Sequence, residues 1–196
     1  MSDPSHKIII ITAPSGSGKT SITRHLMKLF PELSFSVSAT TRQPREKEQD
    51  GVDYYYISTA EFKSRIDADE FIEYEMVYEG VYYGTLKNEM NRIWNNGLVP
   101  VLDIDVKGAM NVMKIYPGQT LSLFIEPPSL EELESRLKKR GTETAESLLK
   151  RVTKASYEMT FKNQFDKVIV NDVLENACAL AEQAVGGFLH NKGKDA

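Results

Sequence analysis

The chain is 196 residues long, with 41% hydrophobic and 27% charged residues and a formal net charge of −4. That size supports one domain with a sizeable core, and the acidic balance argues against a free-standing nucleic-acid binder, which carries a basic excess. Cys178 is the single cysteine, so no intramolecular disulfide forms, and nothing approaches the roughly 20 apolar residues of a membrane span. The start of the chain through His6 is short and polar without a signal-like apolar region, so a cytoplasmic protein is expected.

The first element sets the chemistry. Lys7 to Thr12 holds four consecutive isoleucines, the pattern of a strand buried on both faces, and Thr20 to Phe30 has the spacing of an amphipathic helix. Ala13-Pro14-Ser15-Gly16-Ser17-Gly18-Lys19-Thr20 joins them. Gly16 and Gly18 let consecutive backbone N–H groups turn inward on an anion, and the helix start adds its positive dipole end. In such a loop Lys19 reaches the β- and γ-phosphates of ATP, and the Thr20 hydroxyl ligates Mg²⁺. Ala13 stands where the general G-x-x-x-x-G-K-[ST] pattern has glycine, while the strand–loop–helix order is kept.

Phe30-Pro31-Glu32 ends the helix, and Leu33 to Ser38 alternates apolar and small polar residues as a strand does. Thr40 to Gly51 is heavily charged with neither period, so it reads as a loop. Within it Arg42 and Arg45 straddle Pro44, which stiffens their spacing into a candidate anion site. Tyr54 to Ile57 is a short strand, and Ser58-x-x-Glu61 is a capping box opening a helix with Phe62 and Ile66 on one face. Phe71 to Tyr78 and Val81 to Tyr83 are strands joined at Glu79-Gly80. This strand- and tyrosine-rich middle differs from the βα alternation on either side, as a lobe inserted into a sheet domain would.

Leu86 to Asn96 is helical, and Leu98 to Asp105 is a buried strand with Asp103 and Asp105 at its carboxyl end. Pro100 near its start weakens the reading of a central strand. Met110 to Ile115 belongs to a helix and Leu121 to Ile125 to a strand. Pro127-Pro128 breaks the chain before Ser129-x-x-Glu132 caps a helix with Leu130, Leu133 and Leu137 inward. Gly141-Thr142-Glu143-Thr144 is a hinge-like break before the helix from Leu148 through Tyr157. The strand Lys167 to Val170 and a helix from Leu174 to Leu189, with Cys178 as a packed thiol, complete the chain. The fold class is α/β, an open, mostly parallel sheet flanked by helices. Ligands in such sheets lie beyond the strands' carboxyl ends, which gathers the 13–20 loop, Ser38, Asp103, Asp105 and Asn171 around one crevice.

The loop at 13–20 is accompanied by Ser38-x-Thr40-Thr41-Arg42-x-Pro44-Arg45, Gly51-x-Asp53-Tyr54, Phe71-Ile72-Glu73 and Tyr82-Tyr83-Gly84-Thr85. Leu102-Asp103-Ile104-Asp105, Arg140-Gly141-Thr142-Glu143-Thr144 and Val170-Asn171-Asp172 follow. In order and spacing this set resembles guanylate kinase, from Ile8 to Asp172. The resemblance implies a single domain spanning 1–196, with a P-loop core (about 5–37, 98–136 and 165–190), a GMP-binding lobe (about 38–90) and a helical lid (about 137–160). Its reaction is ATP + GMP ⇌ ADP + GDP with Mg²⁺. It implies that Arg42, Arg45, Tyr54 and Tyr83 hold the GMP phosphate, with Glu48 a further match in that lobe. Ser38, Glu73, Thr85 and Asp105 would meet the guanine, Thr85 standing where serine is common. On the ATP side it implies that Arg140 and Arg151 swing over the phosphates and that Asn171 faces the adenine. Arg136 shares a helix face with Arg140. Asp103 would hold Mg²⁺ through water.

The chemistry of these residue types agrees. Guanine offers adjacent N1–H and N2–H donors that one carboxylate can accept together, whereas adenine would leave that carboxylate facing a lone pair. The attacking phosphate is already ionised near neutrality, since its second pKa is about 6, so no general base is needed. His6, His25 and His190 lie outside every motif. Catalysis then rests on alignment and on charge neutralisation by Lys19, Mg²⁺, Arg42, Arg140 and Arg151. The partners expected are ATP and GMP, with dGMP a further acceptor, and neither nucleic acid nor membrane. Oligomeric state stays open, a homo-oligomer included. Two alternatives remain at this point: a non-catalytic phosphoprotein-binding module, and a kinase for a sugar phosphate.

Overall fold

The computed structural model describes residues 6–139 and 144–190. The first half runs β1 (Ile8–Thr12), α1 (Lys19–Leu29), β2 (Leu33–Phe35), β3 (Ala39–Thr40), β4 (Tyr55–Tyr56), α2 (Thr59–Asp67), β5 (Phe71–Tyr78), β6 (Val81–Leu86) and α3 (Lys87–Asn95). The second runs β7 (Val99–Asp103), α4 (Val106–Ile115), β8 (Thr120–Glu126), α5 (Leu130–Lys139), α6 (Ala145–Met159), β9 (Lys167–Val170) and α7 (Leu174–His190).

The strands form two sheets. One is parallel throughout, in the order β2-β7-β1-β8-β9, and β1 shows why its isoleucines are consecutive. Ile9 and Ile11 pack with Ile22 and Leu26 of α1 and Ala181 and Val185 of α7. Ile8 and Ile10 point the other way, onto Met90 of α3 and Val106, Ala109 and Val112 of α4. A strand covered by helices on both faces has no side left for polar residues. Cys178 is buried in the first of these clusters, a packed thiol as expected.

The second sheet, β4-β3-β6-β5, is mixed, and all its strands fall in the chain between β2 and β7. It has a small core of its own, in which Phe62 of α2 stacks on Phe71 at 4.4 Å between ring centroids. The expected strand over 33–38 stops at Phe35, because its hydrogen-bond partners change. Ser36 N still donates to Val101 O at 3.0 Å, Val37 N donates to the Glu89 carboxylate at 3.2 Å, and Ser38 O accepts from Tyr55 N at 2.9 Å. Alternation alone cannot reveal that handover. β6 runs on to Leu86 and sets Thr85 opposite Glu73.

β7 is central despite Pro100. Pro100 is in register with Ser34 of β2, and pairing with β1 begins only at Val101, so the missing N–H precedes that ladder. Ser58 and Ser129 cap α2 and α5 as expected, each accepting a backbone N–H at 3.1 Å. No helix among the described residues is long and apolar enough to cross a membrane.

Candidate active site

The loop after β1 is bent by two residues in left-handed conformation, Gly16 (φ 101°) and Gly18 (φ 92°), the latter starting α1. Space demands glycine at 18 as well. A Cβ there would lie 2.2 Å from Asn171 Nδ2. The Asn171 amide is buried and donates to Ser17 O at 2.7 Å, so it props the loop from behind. Asn171, which the resemblance sets against the adenine, gives one amide N–H to a loop carbonyl that would otherwise be buried without a partner. Arg136 stands behind it in turn, donating to Asn171 O at 3.0 Å and to Glu132 at 2.9 Å.

Lys19 pairs with Asp103, which β7 carries beside the loop because β7 and β1 are neighbours in the sheet. Thr20, in the first turn of α1, opens onto the same cleft, and Ser17 Oγ is buried with no partner. Arg151 reaches the loop from α6, donating to Ser15 Oγ at 2.6 Å. Arg140 lies outside the described residues.

The opposite wall comes from the inserted sheet and the loop after β3. Arg45, Tyr54 and Tyr83 line the cleft. Arg42 stands directly against Tyr54 and Tyr83. Its guanidinium grips Glu48 with both terminal nitrogens, at 2.6 and 2.8 Å, and its Nε donates to Tyr83 Oη at 3.1 Å. It also lies over the Tyr54 and Tyr56 rings, at 4.9 and 5.6 Å from their centroids. Glu48 accepts further from Arg45 N and Tyr56 Oη, both at 2.8 Å. The bond from Arg42 is the main reason its carboxyl is held down at about 2. Glu48 therefore organises this wall from within, rather than being one more solvated charge in a charged loop. Tyr54 is pushed up to about 12, first by burial and then by the negative charge of Asp103, so it is a neutral donor near pH 7.

Between the walls sits Glu73, buried on β5. Burial drives its carboxyl up to about 7; the Thr85 hydroxyl, donating at 2.6 Å, opposes the rise and the charge of Asp105 adds to it. Asp105 caps α4 by accepting from Gly108 N at 2.9 Å. Gly108 matters for what it lacks, since a Cβ would come 2.5 Å from Glu73 Oε2. Ser38, Glu73 and Asp105 line one continuous cleft of about 370 Å³ with the loop; Thr85 is fully buried behind Glu73.

Among the lining residues that escaped the reading of the sequence are Glu75 and Val77, two and four places beyond Glu73 on the same face of β5, and Lys154 and Glu158 on α6. The signal existed for the last two. They fall three and seven residues after Arg151, on one helix face.

The arrangement presents a glycine-bent loop with Lys19 and, in the same cleft, Arg45 with the phenols of Tyr54 and Tyr83. A buried carboxylate stands where a base edge can be read. The guanylate kinase family profile matches residues 5–186. A guanylate kinase of Bacteroides thetaiotaomicron is 47% identical over 186 residues, covering 95% of this chain and 91% of that one. One from Salinibacter ruber is 49% identical over 174 residues, covering 89% and 92%. The crystal structure of guanylate kinase from Anaplasma phagocytophilum superimposes with a TM-score of 0.77 at 26% identity, covering 97% of this chain and 89% of that one. Profile, relatives and architecture agree with the geometry of the cleft, and the chain belongs to the guanylate kinase family of nucleoside monophosphate kinases.

Proposed function

We propose the following division of labour for ATP-to-GMP phosphoryl transfer in this chain. The 13–20 loop, with Lys19, takes the triphosphate of ATP; Arg151, with Arg140, covers it from the helical lid at about 137–160. Arg45, Tyr54 and Tyr83 take the phosphate of GMP, and Ser38, Glu73 and Asp105 take its guanine. The inserted sheet with α2 forms the acceptor lobe on the parallel-sheet core.

Arg42 acts at one remove. Because its Nε–H donates to the Tyr83 oxygen, the Tyr83 hydrogen is left to point at the acceptor phosphate. Arg42 is thus a positioning residue and Glu48 holds it in place. Glu73 must be ionised to accept from guanine N1–H and N2–H, and Thr85 supports the ionised form.

The residues present fit Mg²⁺. Thr20 and Asp103 offer hard oxygen donors, and Asp103 already faces a cation, the Lys19 ammonium. No group of three His, Cys, Asp or Glu side chains among the described residues would cage a metal. That suits an ion held mainly by phosphates and water, which would draw charge from the transferring phosphoryl group. The acceptor oxygen needs no base, so the protein's task is to bring two polyanions into line and exclude water. A cytoplasmic enzyme using GMP, and dGMP as a further acceptor, is part of the same proposal.

The observation that carries it is Glu73, a buried carboxylate braced by a hydroxyl and facing the same cleft as the phosphate loop. A coupled assay with GMP, dGMP, AMP and a sugar phosphate tests it. GMP and dGMP are expected to be phosphorylated and the other two not. Equal rates with AMP, or transfer only to the sugar phosphate, would overturn the assignment.

A further inference from the structure

The helix α6 carries more chemistry into the cleft than the arginine that the motif accounts for. Leu148 and Ala155 pack it against Leu133 and Leu137 of α5. The adjoining face, made by Arg151, Lys154 and Glu158, lines the same cleft as Lys19 and Asp105. Glu158 is only 7% exposed, and its carboxylate lies 3.5 Å from the Lys154 ammonium one turn back.

An i,i+4 pair on a helix surface contributes only about 0.3–0.5 kcal/mol and leaves both groups in water. This one is placed differently. Burial is the largest influence on Glu158 and pushes its carboxyl up; Lys154 pulls it down, the charge of Asp105 raises it again, and Lys19 in the same cleft adds a weaker downward pull. A carboxylate buried in a cleft built for polyanions works against ligand binding unless its charge is spent on a cation useful there. Lysine has a long flexible stem, so a lysine meant for one spot needs an anchor.

We propose that Lys154 is a further phosphate-contacting residue of the transfer reaction, brought over the cleft by α6, and that Glu158 is the positioning residue that keeps its ammonium on the cleft side. The assignment rests on the kinase reading given above. Arg151 engages the loop at Ser15, on the donor side, and Lys154, one turn on, lines the same cleft beside Glu158, whose carboxyl feels the charges of both Lys19 and Asp105. The pair of cations thus spans the path of the moving phosphoryl group, where negative charge is shared between donor and acceptor oxygens.

Steady-state kinetics with saturating Mg-ATP and GMP test this on Lys154→Met, Lys154→Arg, Glu158→Gln and the double variant Lys154→Met/Glu158→Gln. Lys154→Met is expected to lower kcat about tenfold with each KM changed less than about threefold, and Lys154→Arg to recover most of the loss. Glu158→Gln should lower kcat to a similar degree. The double variant should be no worse than Lys154→Met alone, since Glu158 acts through Lys154. A Lys154→Met enzyme within twofold of the unmodified chain, or losses that multiply in the double variant, would overturn the proposal. Lys154 is partly exposed, so its variants test the idea even where a Glu158 variant fails to fold. Affinity for a bisubstrate analogue, adenosine and guanosine joined through phosphates, reads the same contact without turnover and should weaken about tenfold in Lys154→Met. If the unmodified chain makes no GDP, the kinase reading falls instead, and the analogue affinities still decide Lys154.

Discussion

The donor end and the acceptor end of the cleft are built in opposite ways. The donor cradle is eight consecutive residues running from the end of one strand into the first turn of one helix, bent by two left-handed glycines. The acceptor end collects Ser38 from the crossover, Arg45 from a loop, Tyr54 before β4, Glu73 from β5, Tyr83 from β6 and Asp105 from the start of α4. Within it Arg42 is held by Glu48 and Glu73 by Thr85, as Lys19 is by Asp103 at the donor end. A cradle made of one stretch of backbone needs only the right bends, whereas a pocket gathered from separate elements needs each side chain aimed by its neighbours.

Substitutions at the two ends should separate these modes. The largest effect belongs to the donor end: Lys19→Met is expected to keep the fold and lower kcat on the order of 10³-fold, because one preorganised cation is lost from the transferring group. Unchanged melting with near-normal turnover would refute its role.

At the acceptor end, Glu73→Gln should cut GMP-over-AMP discrimination about 10²-fold while the KM for ATP moves less than threefold. It should also change the pH dependence of stability. The folded-state value of Glu73 lies near 7 against 4.5 for the ordinary carboxyl, so between those pH values the unfolded chain loses a proton that the folded one keeps. Stability from this group is therefore present below pH 4.5 and lost as pH rises to 7. Relative to the unmodified chain, Glu73→Gln should gain up to about 3 kcal/mol between pH 4 and 8 in urea unfolding. The same ionisation should raise the KM for GMP as pH falls below 7.

Smaller effects sharpen the contrast. Glu48→Gln frees Arg42 and should raise the KM for GMP about tenfold, with ATP binding unchanged. Asn171→Ala removes the prop behind the cradle and should cost about 1–2 kcal/mol, together with a modest rise in the KM for ATP. A larger effect on GMP than on ATP would reverse the assignment of Asn171 to the donor end.

Legibility in the sequence followed the same division. Ile8 to Thr20 could be read directly, as could the caps at Ser58 and Ser129, because each depends on residues within one turn of one another. The residues proposed for the acceptor were read through the resemblance of ordered motifs, and Arg45, Tyr54, Glu73, Tyr83 and Asp105 do meet at one cleft. The handover at Ser36 to Ser38 was invisible, since alternation is the same in either sheet. Lys154 and Glu158 looked like an ordinary charged helix face, because burial by another element leaves no mark on helical spacing.

By itself, then, the order of residues determined a phosphate-binding strand–loop–helix, a parallel sheet with strands inserted into it, and the set of side chains that mark a guanylate kinase. Local backbone preference and apolar periodicity carry that information along the chain. Only the tertiary structure decided what each of those side chains is bonded to, Arg42 to Glu48 and Asn171 to Ser17. The state of a charged or amide group is set by whatever distant elements bring within hydrogen-bond reach, and no spacing in the chain records that.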